Sequence, residues 1–262
     1  MDIGIACAFV PTEGATLGTA IATAAAAAED GGFASWWGMG DREVARTASH
    51  DQILGLYCVA RATQRIRLGL AGDALSVRPA AVRAKQLASL DWFANGRLEL
   101  GLDLDTPPLE ISEPGVECAD PVGSTLDRLG AMETLWTERR GAYRSNTVSF
   151  AGAIAHPKTV GARRLRTHAR HTSAPLLRRF VESRGEIDGW AAWKLEPAAL
   201  IGALEEIAQA LPSGHGPVRR TWFVDAPLVQ ASRARAAEAG IDELVAVFDR
   251  VPHPAELQEA IA

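Results

Sequence analysis

The sequence predicts an α/β protein of the (β/α)8, or TIM-barrel, class, in a compact version with short loops, and three observations carry the prediction. Apolar strand-like runs alternate with amphipathic helical stretches eight times along 262 residues, the pattern of a parallel sheet covered by helices. Arg65–Asp105 contains a complete βαβ unit, whose two strands should lie parallel with a right-handed crossover. The length suits a closed barrel of about 250 residues, and no G-x-G-x-x-G follows the first strand, as an open dinucleotide-binding sheet would show. One barrel domain over residues 1–262 is expected.

The elements follow in order. Asp2–Phe9 reads as the first strand. Leu17, Ile21, Ala24, Ala25 and Ala28 then share one helical face, and Gly31-Gly32 stops that helix. Phe33–Gly38 is the second strand. Ser49 and Gln52 suggest a capping box for a helix whose stripe is Ile53, Leu56, Tyr57 and Ala60. In the βαβ unit, Arg65–Gly72 alternates around Ile66, Leu68 and Leu70, and Arg97–Leu104 around Leu98, Leu100, Leu102 and Leu104. Between them Pro79 opens a helix with Ala80, Ala84, Leu87 and Ala88 on its inner face, and Asn95-Gly96 turns the chain.

The segment 106–121 is too rich in proline for regular structure, and the barrel places it at the C-terminal mouth. Leu126, Leu129, Leu135 and Trp136 mark a helix, and Tyr143–Ala151 a small hairpin. A fifth barrel strand falls around Leu165–Ala169. Ser173 and Pro175 open the next helix, with Leu177, Phe180 and Val181 inward. Ile187–Trp193 is strand six, followed by a helix bearing Leu200, Ile201, Leu204, Ile207, Ala208 and Leu211. Val218–Val224 is strand seven, with a helix over Pro227–Ala239. Leu244–Phe248 is strand eight, and Pro254–Ile261 a final helix.

Composition excludes several classes. Lys and Arg total 27 against 32 Asp and Glu, a net charge of −5, which gives no footprint for nucleic acid or an anionic membrane. Ala20–Ala28 is too short to span a bilayer and ends in Glu29-Asp30, and no basic leader precedes an apolar segment. Cys7, Cys58 and Cys118 are widely spaced, without C-x-x-C, and read as thiols of a reducing compartment. A cytoplasmic protein with no metal site is expected.

In such barrels the active site lies at the C-terminal ends of the strands. That rule selects Asp41 and Arg42 after strand two, Ala71, Gly72 and Asp73 after strand three, and Asp103 and Asp105 after strand four. It also selects Arg170, His171, Thr172 and Ser173 after strand five, Lys194 after strand six and Asp225 after strand seven. Thr172 and Ser173 precede helical N–H groups that attract anions, and Arg170 and His171 add positive or donor character; the bland alternative is that Ser173 is only an N-cap. Gly72 permits close approach of backbone to a planar ring. Asp103 and Asp105, two apart, point the same way, and His50 is expected to be exposed. Of the tryptophans, Trp37 and Trp190 are the better candidates to stack on a flat ligand.

The segments RIRLG, AKQLASLD and NGRLELGLD resemble the core of the luciferase-like, flavin-dependent barrel proteins, which include bacterial luciferase and oxidoreductases using coenzyme F-420. The resemblance implies a reduced FMN or F-420 cofactor that delivers hydride or reacts with oxygen, and a small-molecule substrate. It places the cofactor phosphate at Thr172 and Ser173 and the isoalloxazine ring against a backbone bulge at Ala71-Gly72. Asp41 matches the acidic member of an Asp-His pair, but Arg42 stands where the histidine is usual, so Asp41 is the remaining catalytic candidate. Asp188-Gly189-Trp190 aligns with a D-G-W motif. Family dimers use the side of the barrel bearing the early helices, where Ala24, Ala25, Ala80 and Ala84 permit close approach, so a homodimer is expected. Two alternatives stay open: a non-catalytic barrel that binds a flavin derivative, another ligand or only a partner, and a lyase forming a Schiff base through Lys194.

Overall fold

A computed structural model describes residues 1–11, 14, 16–45, 47–105, 118–170 and 173–261. In chain order the strands are β1 (Asp2–Cys7), β2 (Ser35–Gly38), β3 (Arg67–Asp73), β4 (Leu98–Leu102), β5 (Gly141–Arg144), β6 (Ser149–Ala153), β7 (Arg166–Arg170), β8 (Gly189–Trp193), β9 (Arg219–Asp225) and β10 (Glu243–Phe248). Eight of them close a parallel barrel in the order β1-β2-β3-β4-β7-β8-β9-β10, with β10 returning to β1. The pair β5–β6 is the expected hairpin, antiparallel and outside the barrel. The helices are α1 (Leu17–Asp30), α2 (Asp41–Val44), α3 (Gln52–Ala62), α4 (Ala80–Phe93), α5 (Pro121–Thr137), α6 (Ala174–Arg184), α7 (Pro197–Ala210), α8 (Val229–Glu238) and α9 (Pro254–Ile261).

Each barrel strand has two buried faces, which explains why its alternation is not simply apolar against polar. Leu98, Leu100 and Leu102 turn outward to the helices, together with Leu68, Leu70, Trp36, Trp222 and Leu244. Ala6, Trp37, Met39, Ala71, Ala191, Phe223, Val245 and Val247 form a second cluster inside the barrel. The interior also takes Glu99 and His168, both almost fully buried.

Large rings enter where a neighbouring strand has none. A Cβ on Gly69 would lie 2.0 Å from the Trp37 ring, and one on Gly189 would lie 1.9 Å from His168 Nδ1. Trp37 meets His168 edge-on at 5.4 Å and Phe223 at 5.7 Å, and Phe223 meets Trp193 at 5.0 Å. This column packs the barrel axis from near its base to the mouth.

The base is an ionic network. Arg67 reaches Glu99 at 3.2 Å and Glu243 at 2.9 Å, while Arg166 reaches Glu99 at 2.6 Å and His168 Nε2 approaches it at 3.0 Å. Arg219 reaches Asp2 at 2.6 Å. Burial raises the Glu99 carboxyl, but the His168 hydrogen bond and the charges of His168, Arg67 and Arg166 outweigh it and bring it to about 2.

Several local expectations change. Asp51, not Ser49, is the N-cap of α3, accepting from Ile53 N at 2.8 Å. Ser49 instead accepts from Phe9 N at 3.1 Å. The inner stripe of α3 contains Leu56, Val59 and Ala60, and Tyr57 turns outward. Pro79 is the N-cap of α4, and Ile201 is exposed where Ala203 is buried. Ala24, Ala25, Ala80 and Ala84 are buried within the fold, so they leave no surface for a second subunit. Of the proline-rich segment, residues 106–117 lie outside the described residues.

Candidate active site at the barrel mouth

The strand ends bring Asp41, Glu43, Ala71, Gly72, Asp73, Asp103, Arg170 and Trp193 to one rim. Asp41 starts α2 immediately after β2, yet it is held on every side. It accepts from Arg78 at 2.5 Å, from Ala74 N at 3.2 Å and from Gln52 at 3.4 Å. Arg78 also pairs with Asp73 at 3.1 Å, and Arg83 pairs with Asp73 at 2.7 Å. Asp41 is therefore a clamp joining β2 to the loop after β3, which argues against its catalytic assignment.

Asp103 is bound by Arg42 at 2.9 Å and also accepts from Asp105 N at 3.0 Å. Arg42 thus occupies the rim as the counter-ion of the β4 carboxylate. His50 is exposed, its ring against Phe9 O.

Strand β3 carries the expected bulge. Leu70 pairs with Leu100 and Asp73 with Leu102, so β3 advances three residues while β4 advances two. The bulge presents Ala71 and Gly72 to the mouth. Arg170 lies against them, since a Cβ on Gly72 would meet its Cδ and Nη1 at 3.4 Å. The Arg170 guanidinium stands 5.0 Å over the Trp193 ring and pairs with Glu43. Burial pushes the Glu43 carboxyl up, against the opposing charge and hydrogen bond of Arg170.

Ser173 stands at the N-cap of α6, is exposed and makes no side-chain capping hydrogen bond. Its hydroxyl and the first helical N–H groups share the rim with Arg170. His171 and Thr172 lie outside the described residues. Trp190 is a correction: its ring is buried in the outer layer, among the residues facing the helices, and does not line the barrel. Trp193, on the inner face of the same strand, is the tryptophan at the mouth.

Lys194 pairs with Asp225, a contact that engages its amine at the end of β8. Both line a cleft of about 750 Å³ beside the ends of β9 and β10, with Val247, Phe248 and Arg250. Among the described residues no cluster of three or more His, Cys, Asp or Glu is arranged to hold a metal ion.

Sequence reasoning passed over Glu43, and it named Trp193 at the end of strand six but preferred Trp37 and Trp190. A signal existed for their partner: β7 reads Arg166, His168, Arg170 at every second position, which puts two arginines and a histidine on one inner strand face. Such a face demands acids opposite, and Glu99 and Glu43 supply them.

A closed parallel barrel with charged side chains gathered at its rim, a bulge on β3 and a helix start after β7 defines a (β/α)8 scaffold whose candidate site is the C-terminal face. The family described as luciferase-like monooxygenase matches residues 1–262, and the chain belongs to it. The fold resembles the monooxygenase RslO1 from Streptomyces bottropensis, with a TM-score of 0.76 and 14% identity over 100% of this chain and 96% of that one. It equally resembles an F-420-dependent secondary alcohol dehydrogenase in complex with an F-420–acetone adduct, at TM-score 0.76 and 12% identity, covering 100% and 99%. The FMN-bound oxygenating constituent of 3,6-diketocamphane monooxygenase from Pseudomonas putida matches at TM-score 0.66 and 17% identity, covering 92% and 80%.

Among curated proteins, the uncharacterized protein Rv0953c of Mycobacterium tuberculosis is 29% identical over 110 residues, 42% of this chain and 39% of its own length. The match spans about two fifths of that relative.

Proposed function

We propose that this chain is a flavin- or deazaflavin-dependent oxidoreductase or monooxygenase that acts on a small organic substrate at the barrel mouth. The observation that carries the reading is the β3 bulge, which sets the Ala71-Gly72 backbone on the rim with no side chain at residue 72. A flat ring can approach such backbone closely. The uncommitted Ser173 hydroxyl at the start of α6 fits a phosphate, with Thr172 and His171 beside it in the chain and Arg170 adding charge.

FMN and F-420 both present these two features, and relatives of this fold bind one or the other. When bound, the cofactor supplies the redox chemistry. The chain positions it, and the packed rings of Trp193, Phe223 and Trp37 fill the barrel beneath the site.

Titration of FMN and F-420, followed by fluorescence, into wild type and a Thr172→Ala, Ser173→Ala double variant tests the assignment. Loss of a charge-assisted hydrogen bond, roughly 1.5–3 kcal/mol, should weaken binding about tenfold or more. Equal affinity in the two proteins would remove the phosphate from this loop.

A non-catalytic barrel is the second reading, favoured by one observation. Arg170 lies across Trp193, and Arg42 engages Asp103, so the rim is already occupied by the chain's own ion pairs. Absence of binding by either cofactor selects it.

We further read the protein as a homodimer of a reducing, cytoplasmic compartment. Leu54 and Tyr57 of α3 and Val82 and Phe93 of α4 are exposed, with Tyr57 and Phe93 in edge contact at 4.7 Å. That patch supports self-association better than the buried alanines do. Among the described residues no helix is long and apolar enough to cross a membrane.

A further inference from the structure

We propose that Glu43 is the proton-carrying group of the barrel mouth, holding a proton on Oε2 and delivering it to an oxygen atom of the bound substrate, with Arg170 as its positioning residue. The inference rests on the redox reading above, because a substrate oxygen that gains negative charge as hydride reaches the adjacent carbon needs a proton.

Among the described residues, four other carboxylates at the strand ends are committed. Asp41 is saturated by Arg78, Ala74 N and Gln52. Asp73 lies between Arg78 and Arg83. Asp103 has Arg42 on Oδ2 and Asp105 N on Oδ1, and Asp225 is tied to Lys194.

Asp73 shares with Glu43 a buried oxygen that makes no hydrogen bond and a carboxyl raised by burial, but its Oδ1 lies 3.1 Å from Arg78 Nε and its Oδ2 takes Arg83. In Glu43, Oε1 takes Arg170, Oε2 is buried without a hydrogen-bond partner, and the side chain is about nine-tenths buried. The Oε2 atom lies over residue 40, where a Cβ would come within 2.8 Å of it and within 2.7 Å of Gly72 O. Glycine at 40 therefore leaves room for this oxygen and for the β3 bulge on the two sides of one small gap, beside the surface assigned to the cofactor ring.

The charged groups around Glu43 come from three elements. Arg170 of β7 favours its carboxylate, and Asp103 beyond β4 disfavours it, while Asp41 and Arg42 share its own helix. Asp103 is itself answered by Arg42. Burial and Asp103 together hold the carboxyl above the ordinary glutamate range despite the Arg170 cation and the glutamate's own backbone N–H. That direction favours the neutral acid, the form that can donate a proton.

The transfer balances on named groups. The Oε2–H bond breaks, an O–H bond forms on the substrate oxygen, and the electron pair stays on the Glu43 carboxylate facing Arg170. The hydride equivalent comes from the reduced flavin-type cofactor, and water restores the proton afterward.

Infrared titration of the cofactor-free protein, with glutamate carboxyls labelled by carbon-13, reads the ionisation directly. A protonated-carboxyl band titrating above the ordinary glutamate range, absent from Glu43→Gln and moved further up in Arg170→Gln, is expected. A Glu43 carboxyl already ionised throughout that range, or a midpoint unmoved in Arg170→Gln, overturns the proposal, whether or not a cofactor binds. Wild type needs no variant for the first observation, so misfolding of Glu43→Gln does not blunt the test.

Where cofactor titration shows binding, Glu43→Gln should keep wild-type cofactor affinity and KM while kcat falls on the order of a hundredfold and the pH dependence flattens. Unchanged kcat and pH profile also overturn the proposal. Failure of wild type to bind either cofactor overturns the redox reading instead, and the transfer step with it.

Discussion

Glu99 is the residue whose chemistry is most constrained by the fold. Its carboxyl sits at about 2 among His168, Arg67 and Arg166, below the ordinary glutamate value of 4.5. A folded-state value depressed in this way contributes stability that is complete above the ordinary value. It is lost as pH falls through the folded value. Wild type should therefore shed on the order of 3 kcal/mol between about pH 6 and pH 2 that Glu99→Gln does not. Denaturant unfolding of both proteins across that range checks it, and parallel curves would show that Glu99 is not the acid-sensitive group. At neutral pH the same variant should be less stable than wild type, because the cations around it lose their buried counter-charge. Residue roles were the least legible part of the sequence. Asp41 and Arg42 stand at the expected strand end, but only the folded chain shows that one clamps Arg78 and the other Asp103. Glu43 could be located from sequence, whereas its unpartnered oxygen could not.

At the scale of elements, α3 and α4 carry two checks. Asp51 caps α3 through Ile53 N and Leu54 N, so Asp51→Ala should destabilise by about 1 kcal/mol; Ser49→Ala should leave the α3 cap intact. Phe93 of α4 is half exposed, so Phe93→Asp should leave the unfolding midpoint nearly unchanged while shifting sedimentation from dimer to monomer. A monomeric wild type would refute the patch as an interface. Helix spacing was legible wherever a helix buries one face, as in α6 with Leu177, Phe180 and Val181. The barrel strands were located but their facing was not, because both faces are buried and periodicity marks no solvent side. Strand β7 shows why: its inner positions are Arg166, His168 and Arg170, which a search for apolar runs passes over.

For the molecule as a whole, the closed parallel order of eight strands agrees with the architecture that alternation and length predict. Cooperation between barrel and ligand gives a global test. A cofactor that binds only the folded state stabilises it by about 2.7 kcal/mol at a hundredfold excess over Kd, which should raise Tm by roughly 5–10 °C for a chain of this size. Calorimetry with FMN and with F-420 should show the shift for one of them. No shift with either would match a rim closed by Arg170 and Arg42. The candidate site is legible as a place, the C-terminal rim, because in a barrel of this topology the strand order alone points to it. Which groups on that rim remain available depends on ion pairs between distant strands, which local sequence does not reveal.

The fit of Trp37 into the space beside Gly69, and of His168 beside Gly189, makes each ring and its glycine one steric unit. A methyl added at residue 69 has room only if the ring at 37 becomes smaller, so Gly69→Ala and Trp37→Phe should be strongly non-additive, the pair costing less than the two singles together.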